Sequence, residues 1–160
     1  MKIVGKLVGG LIVLLVAVLV VLRVTGLDPK DRRPGLWVTG TVVSTPVSDW
    51  SFANEVPNIH LQTNTWYLLP HSVTINCYAK DGQLYLVSVY PAGTPRGWVD
   101  NVRRDPRVRI KMGQDLYDRT VAPVTDEAEM RAVLAFREQK NPNLKAPQDL
   151  ATARVFRVVG

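Results

Sequence analysis

The feature that most constrains this chain is an N-terminal run of sixteen residues without a polar side chain, from Leu7 to Leu22. A helix of that length rises about 24 Å, and snorkelling of the flanking Lys6 and Arg23 brings it close to the ~30 Å of a bilayer core. A buried helix of a soluble domain is a weaker alternative, because such helices are seldom apolar on every face. The run predicts one membrane-spanning helix, with lipid contact across residues 4–27.

A cleaved secretory signal peptide is the alternative, since it has the same basic start and apolar centre. The residues that follow are Arg23, Val24 and Thr25, not the small residues that signal peptidase prefers, so an anchor is favoured. Positive charges flank the run about equally, which leaves its orientation open, with a slight preference for a non-cytoplasmic domain. The predicted location is a single-pass position in a bacterial inner membrane.

The charge and cysteine content exclude several other classes of partner. The formal net charge is +6, but Lys2, Lys6 and Arg23 flank the apolar run, so 17 cations and 14 anions remain from Asp28 onward. No run of Lys or Arg exceeds two residues, so a nucleic-acid partner is not expected. A single cysteine, Cys77, excludes an internal disulfide, and without a cysteine–histidine cluster no metal site is predicted.

The composition divides the chain into three parts. Residues 1–27 are predicted to be the anchor, and residues 28–35, which contain two prolines and a glycine, a short polar linker. Eight residues reach at most ~28 Å, so the remaining domain, residues 36–160, would work close to the bilayer.

The domain has the pattern of a mainly β protein. Its clearest strand is Ser72–Lys80, where apolar side chains from Val73 to Ala79 alternate with polar ones, and Asp81-Gly82 then predicts a tight hairpin turn. Two short helices are predicted, the second one capped by Thr125. The remaining predicted strands are 36–45, 59–69, 84–90, 107–112, 116–124 and 154–159. This spacing favours a closed or partly closed β-barrel.

The stretch from Asp81 to Gly113 resembles the flavin-binding split-barrel superfamily, the pyridoxamine-phosphate-oxidase-like proteins. It is closest to their deazaflavin-dependent nitroreductase-like branch. The resemblance rests on a hairpin, a glycine loop with a basic residue, and a helix-to-strand passage. These are Asp81-Gly82, Ser88, Gly93, Arg96, Trp98, Asn101, Val102, Asp105, Pro106, Val108 and Gly113.

This resemblance implies a six-stranded split barrel that forms a homodimer and holds FMN or a deazaflavin coenzyme at the subunit interface. The positions that match its cofactor site are His71, Ser72, Thr74, Ser88, Arg96 and Trp98. The branch usually has a basic turn where this chain has Leu69-Pro70-His71, so His71 is a pH-dependent substitute for an arginine. Structural roles also stay open for these residues, in the core for Ser88 and in helix packing for Trp98. No catalytic residue is assigned.

The resemblance therefore suggests a membrane-anchored flavin- or deazaflavin-dependent oxidoreductase, similar to nitroreductases and quinone reductases, that transfers hydride to a small organic acceptor. The absence of a serine–histidine–acid set fits this role, because the cofactor carries the hydride chemistry. The alternative is a non-catalytic split barrel that binds a flavin, heme or another planar ligand, or a purely structural module at the membrane surface.

Overall fold

The structure is a computed structural model that describes residues 2–31, 33–91, 93–95 and 97–160. It contains three α-helices, α1 (Lys2–Thr25), α2 (Gly97–Arg104) and α3 (Glu127–Lys140), and short 3₁₀ helices at Ser51–Glu55 and Leu150–Thr152. The strands are β1 (Thr41–Val42), β2 (Ile59–Asn64), β3 (Pro70–Ile75), β4 (Cys77–Lys80), β5 (Gln83–Val89), β6 (Arg107–Met112), β7 (Asp115–Pro123) and β8 (Ala153–Val159).

The apolar run forms one continuous helix, α1, of 24 residues. It is longer than the run itself and rises about 36 Å, but it includes Lys6 and Arg23, whose side chains would still have to snorkel for the helix to span a bilayer core. Its apolar window has no residue buried against the rest of the chain. Length and composition allow a membrane span, and a signal sequence would meet the same criteria.

The strands form a barrel because one strand is bent. β3 and β4 are separated only by Asn76; β3 pairs with β2, whereas β4 pairs with β5. Between these partners the sheet runs β2-β6-β7-β8-β5. If β3 and β4 are counted as one bent strand, they close a barrel of six strands, and the short β1 pairs with β7 outside this path. The prediction of a mainly β, six-stranded split barrel is confirmed.

The bend also opens the split. β5 pairs with β4 through Leu86 and then continues beside β8, while β3 stays with β2. Helix α2 lies close to β2 and β3 and sends Trp98, Val99 and Val102 into the barrel core. The Trp98 ring meets the ring of Phe156 edge-on at 5.6 Å. The helix therefore packs apolar side chains into the core beside β2 and β3.

Three predicted elements differ in their extent. The strand expected over 36–45 is reduced to the two residues of β1, and the strand expected over 59–69 ends at Asn64. The strand expected over 72–80 is bent at Asn76, whose amide donates to the carbonyl oxygen of Pro57 at 3.0 Å. Period-two alternation continues across the bend, which is why the sequence pattern did not show it.

The two turn signals had different outcomes. Asp81 and Gly82 have φ of +53° and +76°, the positive values that a tight two-residue hairpin requires. At the start of α3, the cap is Asp126 and not Thr125: the Asp126 carboxylate accepts from the backbone N–H of Glu129 at 2.7 Å. A carboxylate at this place also suits the helix dipole.

The described residues of the segment 28–35 are folded against the barrel. Leu27 and Leu36 are joined by a backbone hydrogen bond of 2.8 Å, and Gly35 exchanges backbone hydrogen bonds with Ser72 on β3. The Asp28 carboxylate accepts from the Lys111 ammonium at 2.5 Å. These contacts hold the segment along the outer face of β3, β2 and β6, and so bring α1 to a fixed place on the domain.

Candidate functional site

A groove of about 580 Å³ lies where the barrel is split. One wall is β3, with Val73, Thr74 and Ile75. Trp98 from α2 and Tyr90, just after β5, also line the groove. The remaining wall comes from the segment before the barrel and consists of Asp31, Arg33 and Pro34.

Thr74 and Trp98, both predicted site residues, line this groove. Thr74 lies on the face of β3 opposite to Val73 and Ile75, which pack against the core. Its hydroxyl oxygen is buried and has no hydrogen-bond partner among the described residues. Trp98 is buried and adds an aromatic surface. A hydroxyl beside an aromatic wall can bind a planar ring that carries polar edges.

His71 lies at the N-terminal end of α2. A side chain built on Gly97 would place its first carbon 3.5 Å from the His71 Cε1 atom, so the imidazole covers the first residue of the helix. Its Nδ1 atom is buried without a partner among the described residues, and burial lowers the pKa of His71. The ring is therefore neutral at pH 7 and can donate one hydrogen bond beside the helix end, where anions are favoured.

The two predicted serines do not line the groove. The Ser72 hydroxyl is buried under the segment 28–35, and its oxygen would be 2.7 Å from a side-chain carbon on Gly35. Ser88 is buried on β5, on the same face as Leu84 and Leu86, which belong to the barrel core. Neither hydroxyl has a partner among the described residues. Arg96, the predicted anion-binding residue, lies outside the described residues.

Arg33 and Tyr90 are groove residues that the sequence analysis did not select. Arg33 is exposed, and its guanidinium forms no ion pair with another described residue. Asp31 lines the same groove and offsets part of its positive charge. The sequence signal for a basic groove wall is the pair of arginines in DRRPG. Next to the apolar run, this pair indicates only a basic flank of the helix. Only folding of this segment onto β3 makes it a wall of the groove.

The other ionisable groups of the domain suit structural roles. Burial raises the pKa of Cys77 to about 12, so its thiol is protonated and unreactive at neutral pH. Burial also lowers the pKa of His60, with Asp28 acting in the opposite direction. Within the described part of the chain, no three His, Cys, Asp or Glu side chains are close enough to hold a metal ion.

Comparisons with known proteins match the barrel part of the chain. The family model for F420H(2)-dependent quinone reductases matches residues 70–158, from the start of β3 almost to the end of β8. An F420H(2)-dependent quinone reductase from Mycobacterium tuberculosis is 33% identical over 70 residues, which are 42% of this chain and 47% of that protein. The chain thus spans about half the length of the curated relatives it matches.

Solved structures show the same fold. The structure of an F420-H2-dependent reductase, FDR-A, superposes with a TM-score of 0.51 at 20% identity, covering 72% of this chain and all of that chain. The conserved hypothetical protein Rv2991 from Mycobacterium tuberculosis superposes with a TM-score of 0.54 at 16% identity, covering 76% of this chain and 86% of that one. With a family model that matches more than half of its residues, the chain belongs to the F420H(2)-dependent quinone reductase family.

Proposed function

We propose that this protein is a membrane-anchored reductase that binds the deazaflavin F420 in the groove at the barrel split and reduces a quinone. The observation that carries the proposal is the groove itself, which is lined both by Thr74, with its unpartnered hydroxyl, and by the aromatic Trp98. The family and the named activity of its relatives support the choice of F420 over FMN and of a quinone as acceptor.

The residues present fit an anionic deazaflavin. Arg33 offers a free guanidinium at the groove, and His71 offers a neutral imidazole beside the first turn of α2. These groups would hold the phosphate and carboxylate groups of F420, close to the positive end of the α2 dipole. Thr74 would donate to a ring carbonyl, and Trp98 would pack against the ring. The Arg96 side chain is a further candidate for the phosphate.

The bound, reduced cofactor would supply the hydride, and the protein would position both partners and limit access of water. Helix α1 gives a reason for a quinone as acceptor, because an apolar quinone resides in the bilayer that α1 would enter. In this proposal residues 1–27 anchor the protein, residues 28–35 form a wall of the site, and residues 36–160 form the barrel. The homodimer implied by the fold remains a prediction.

The test uses the full chain, purified in a mild detergent. F420 and FMN are titrated separately, and binding is followed by the change in cofactor fluorescence. We expect saturable binding of F420 and much weaker binding of FMN, followed by oxidation of F420H2 when a soluble menaquinone analogue is added. Failure to bind F420 at any concentration would refute the proposal, and binding without quinone-dependent oxidation would favour the non-catalytic alternative.

A further inference from the structure

The loop between β2 and β3 presents three consecutive large apolar residues to solvent. Trp66 is 78% exposed, Tyr67 48% and Leu68 94%, so Leu68 is more exposed than any large apolar residue of α1. Leu68 has φ of +68°, which a bulky side chain rarely adopts. The loop is not collapsed onto the barrel, and such exposure in a water-facing loop would be unfavourable.

Internal contacts give this loop a defined shape. The Thr65 hydroxyl donates to the carbonyl oxygen of Leu69, closing the loop at its base. The rings of Trp66 and Tyr67 meet edge-on at 5.4 Å. These contacts hold the loop in a conformation in which Trp66, Tyr67 and Leu68 are all exposed.

The loop lies at the end of the barrel where α1 joins the domain. Asn64, the last residue of β2, lines a groove of about 470 Å³ together with Arg23 from the last turn of α1. Arg107, at the start of β6, lines the same groove. Since residues 65–69 continue directly from Asn64, a bilayer crossed by α1 would face this end of the barrel.

This end also carries an excess of positive charge. Arg107 is paired with Asp105, and Arg109 with Asp118. Arg23 and Arg104, by contrast, have no carboxylate partner among the described residues: Arg23 lies over the ring of Trp37, and Arg104 donates to the backbone oxygen of Asn64. Free cations beside an exposed Trp-Tyr-Leu tip are the chemistry that binds the interface of an anionic bilayer.

We propose that this barrel end is a second membrane contact, in which Trp66, Tyr67 and Leu68 enter the headgroup region of an anionic bilayer while Arg23 and Arg104 meet lipid phosphates. The contact rests on the membrane insertion of α1 within the proposed function. With α1 it holds the barrel at two points, so that the domain keeps one orientation toward the bilayer. It is separate from the cofactor groove, which is lined by other residues.

The test places a nitroxide spin label at one position at a time in the full chain, reconstituted in nanodiscs of phosphatidylcholine and phosphatidylglycerol. The variants are Leu68→Cys, Leu14→Cys and Gln139→Cys, each in a Cys77→Ala background. Leu14 reports on the middle of α1. Gln139, exposed in the last turn of α3, is the control. Its neighbour Lys140 lines a cavity with residues 76–78, so position 139 lies near the end of β3 that is remote from the 65–69 loop.

Collisions with oxygen and with a water-soluble nickel chelate then measure the depth of each label. We expect lipid-like values at positions 14 and 68 and water-like values at position 139, with position 68 shallower than position 14. Water-like values at 68 with lipid-like values at 14 would overturn the second contact alone. Water-like values at both 14 and 68 would instead refute the anchor in the proposed function, and the second contact with it.

A label at position 68 that is shielded from both probes and shows dipolar broadening would identify a second copy of the chain as the occupant and would overturn the inference.

The native loop gives an independent measurement. In brominated lipid, we expect the tryptophan quenching of the wild type to decrease clearly in Trp66→Phe. Equal quenching in the two proteins would also overturn the contact.

Discussion

Gly35 and Ser72 are joined by two backbone hydrogen bonds, from Gly35 N–H to the Ser72 oxygen at 2.8 Å and from Ser72 N–H to the Gly35 oxygen at 3.1 Å. This bridge attaches the segment that follows α1 to β3, the strand that lines the candidate groove. The end of α1 and the wall of the candidate groove are thus linked in part through this backbone pairing.

Gly35→Ala should break this attachment. A methyl group at position 35 would lie 2.1 Å from the backbone oxygen of Leu27 and 2.7 Å from the nitrogen of Pro29, so the backbone must move. We expect a loss of about 1–3 kcal/mol in the free energy of unfolding, measured by denaturant titration in detergent. Faster amide exchange at Ser72 should accompany it.

The matched control for that variant is Gly10→Ala, in the middle of α1. A methyl group at position 10 would meet no atom within 4 Å, and alanine is a better helix former than glycine. It should leave the stability of the barrel unchanged. Equal stability of Gly35→Ala and the wild type would show that the segment does not depend on this bridge.

Arg33→Ala should weaken binding of F420 about fivefold, since one exposed cation would be lost from the wall of the groove. The measurement is the fluorescence titration described for the wild type. Arg131→Ala on α3 is the control, because Arg131 is exposed and lies on an element that does not line the groove. If both variants bind F420 equally well, Arg33 does not contact the cofactor.

Asp28→Asn should destabilise the domain strongly, because it leaves the Lys111 ammonium, with a side chain only 10% exposed, without its carboxylate partner. The expected cost is about 3 kcal/mol. The double variant Asp28→Asn/Lys111→Met removes both charges and should recover most of that loss. A double variant no more stable than Asp28→Asn would contradict a specific coupling between the two side chains.

Glu129→Gln should lower stability in a pH-dependent way. The Glu129 carboxylate accepts hydrogen bonds from the Arg157 guanidinium and, at 2.8 Å, from the Tyr85 hydroxyl. The bond from Arg157 is the main reason why the pKa of Glu129 is lowered, and the bond from Tyr85 acts in the same direction. Since its pKa is lower in the folded state, the carboxylate adds stability above the unfolded-state pKa, near 4.3, and loses it as the pH falls through the folded-state pKa.

We therefore expect Glu129→Gln to lower the free energy of unfolding by about 1 kcal/mol at pH 7 and by progressively less below pH ~4. Denaturation curves at pH 7 and at pH 3 measure the two values. Glu127→Gln serves as the control, because Glu127 is exposed and its distance to Arg131 is 3.9 Å. It should have little effect at either pH. A cost for Glu129→Gln that stays constant from pH 7 to pH 3 would contradict this assignment.

Local sequence patterns determined the elements whose causes are themselves local. The apolar run of α1, the Asp81-Gly82 turn and the alternation that buries Cys77 and Ala79 each depend on neighbouring residues, and each was predicted correctly. The same patterns, with the resemblance of Asp81–Gly113, were sufficient to identify a split barrel. The resemblance also selected Thr74 and Trp98, which both line the groove.

Only the tertiary structure decided which side chains meet. A bend at Asn76 separates β3 from β5, a long-range effect that period-two alternation does not record. Pairing of Gly35 with Ser72 buries one predicted site residue and brings Arg33, predicted only as linker, to the groove. Sequence alone thus determined the anchor-like helix and the kind of barrel, whereas hydrogen bonds between residues far apart in the chain determined which residues form the candidate site.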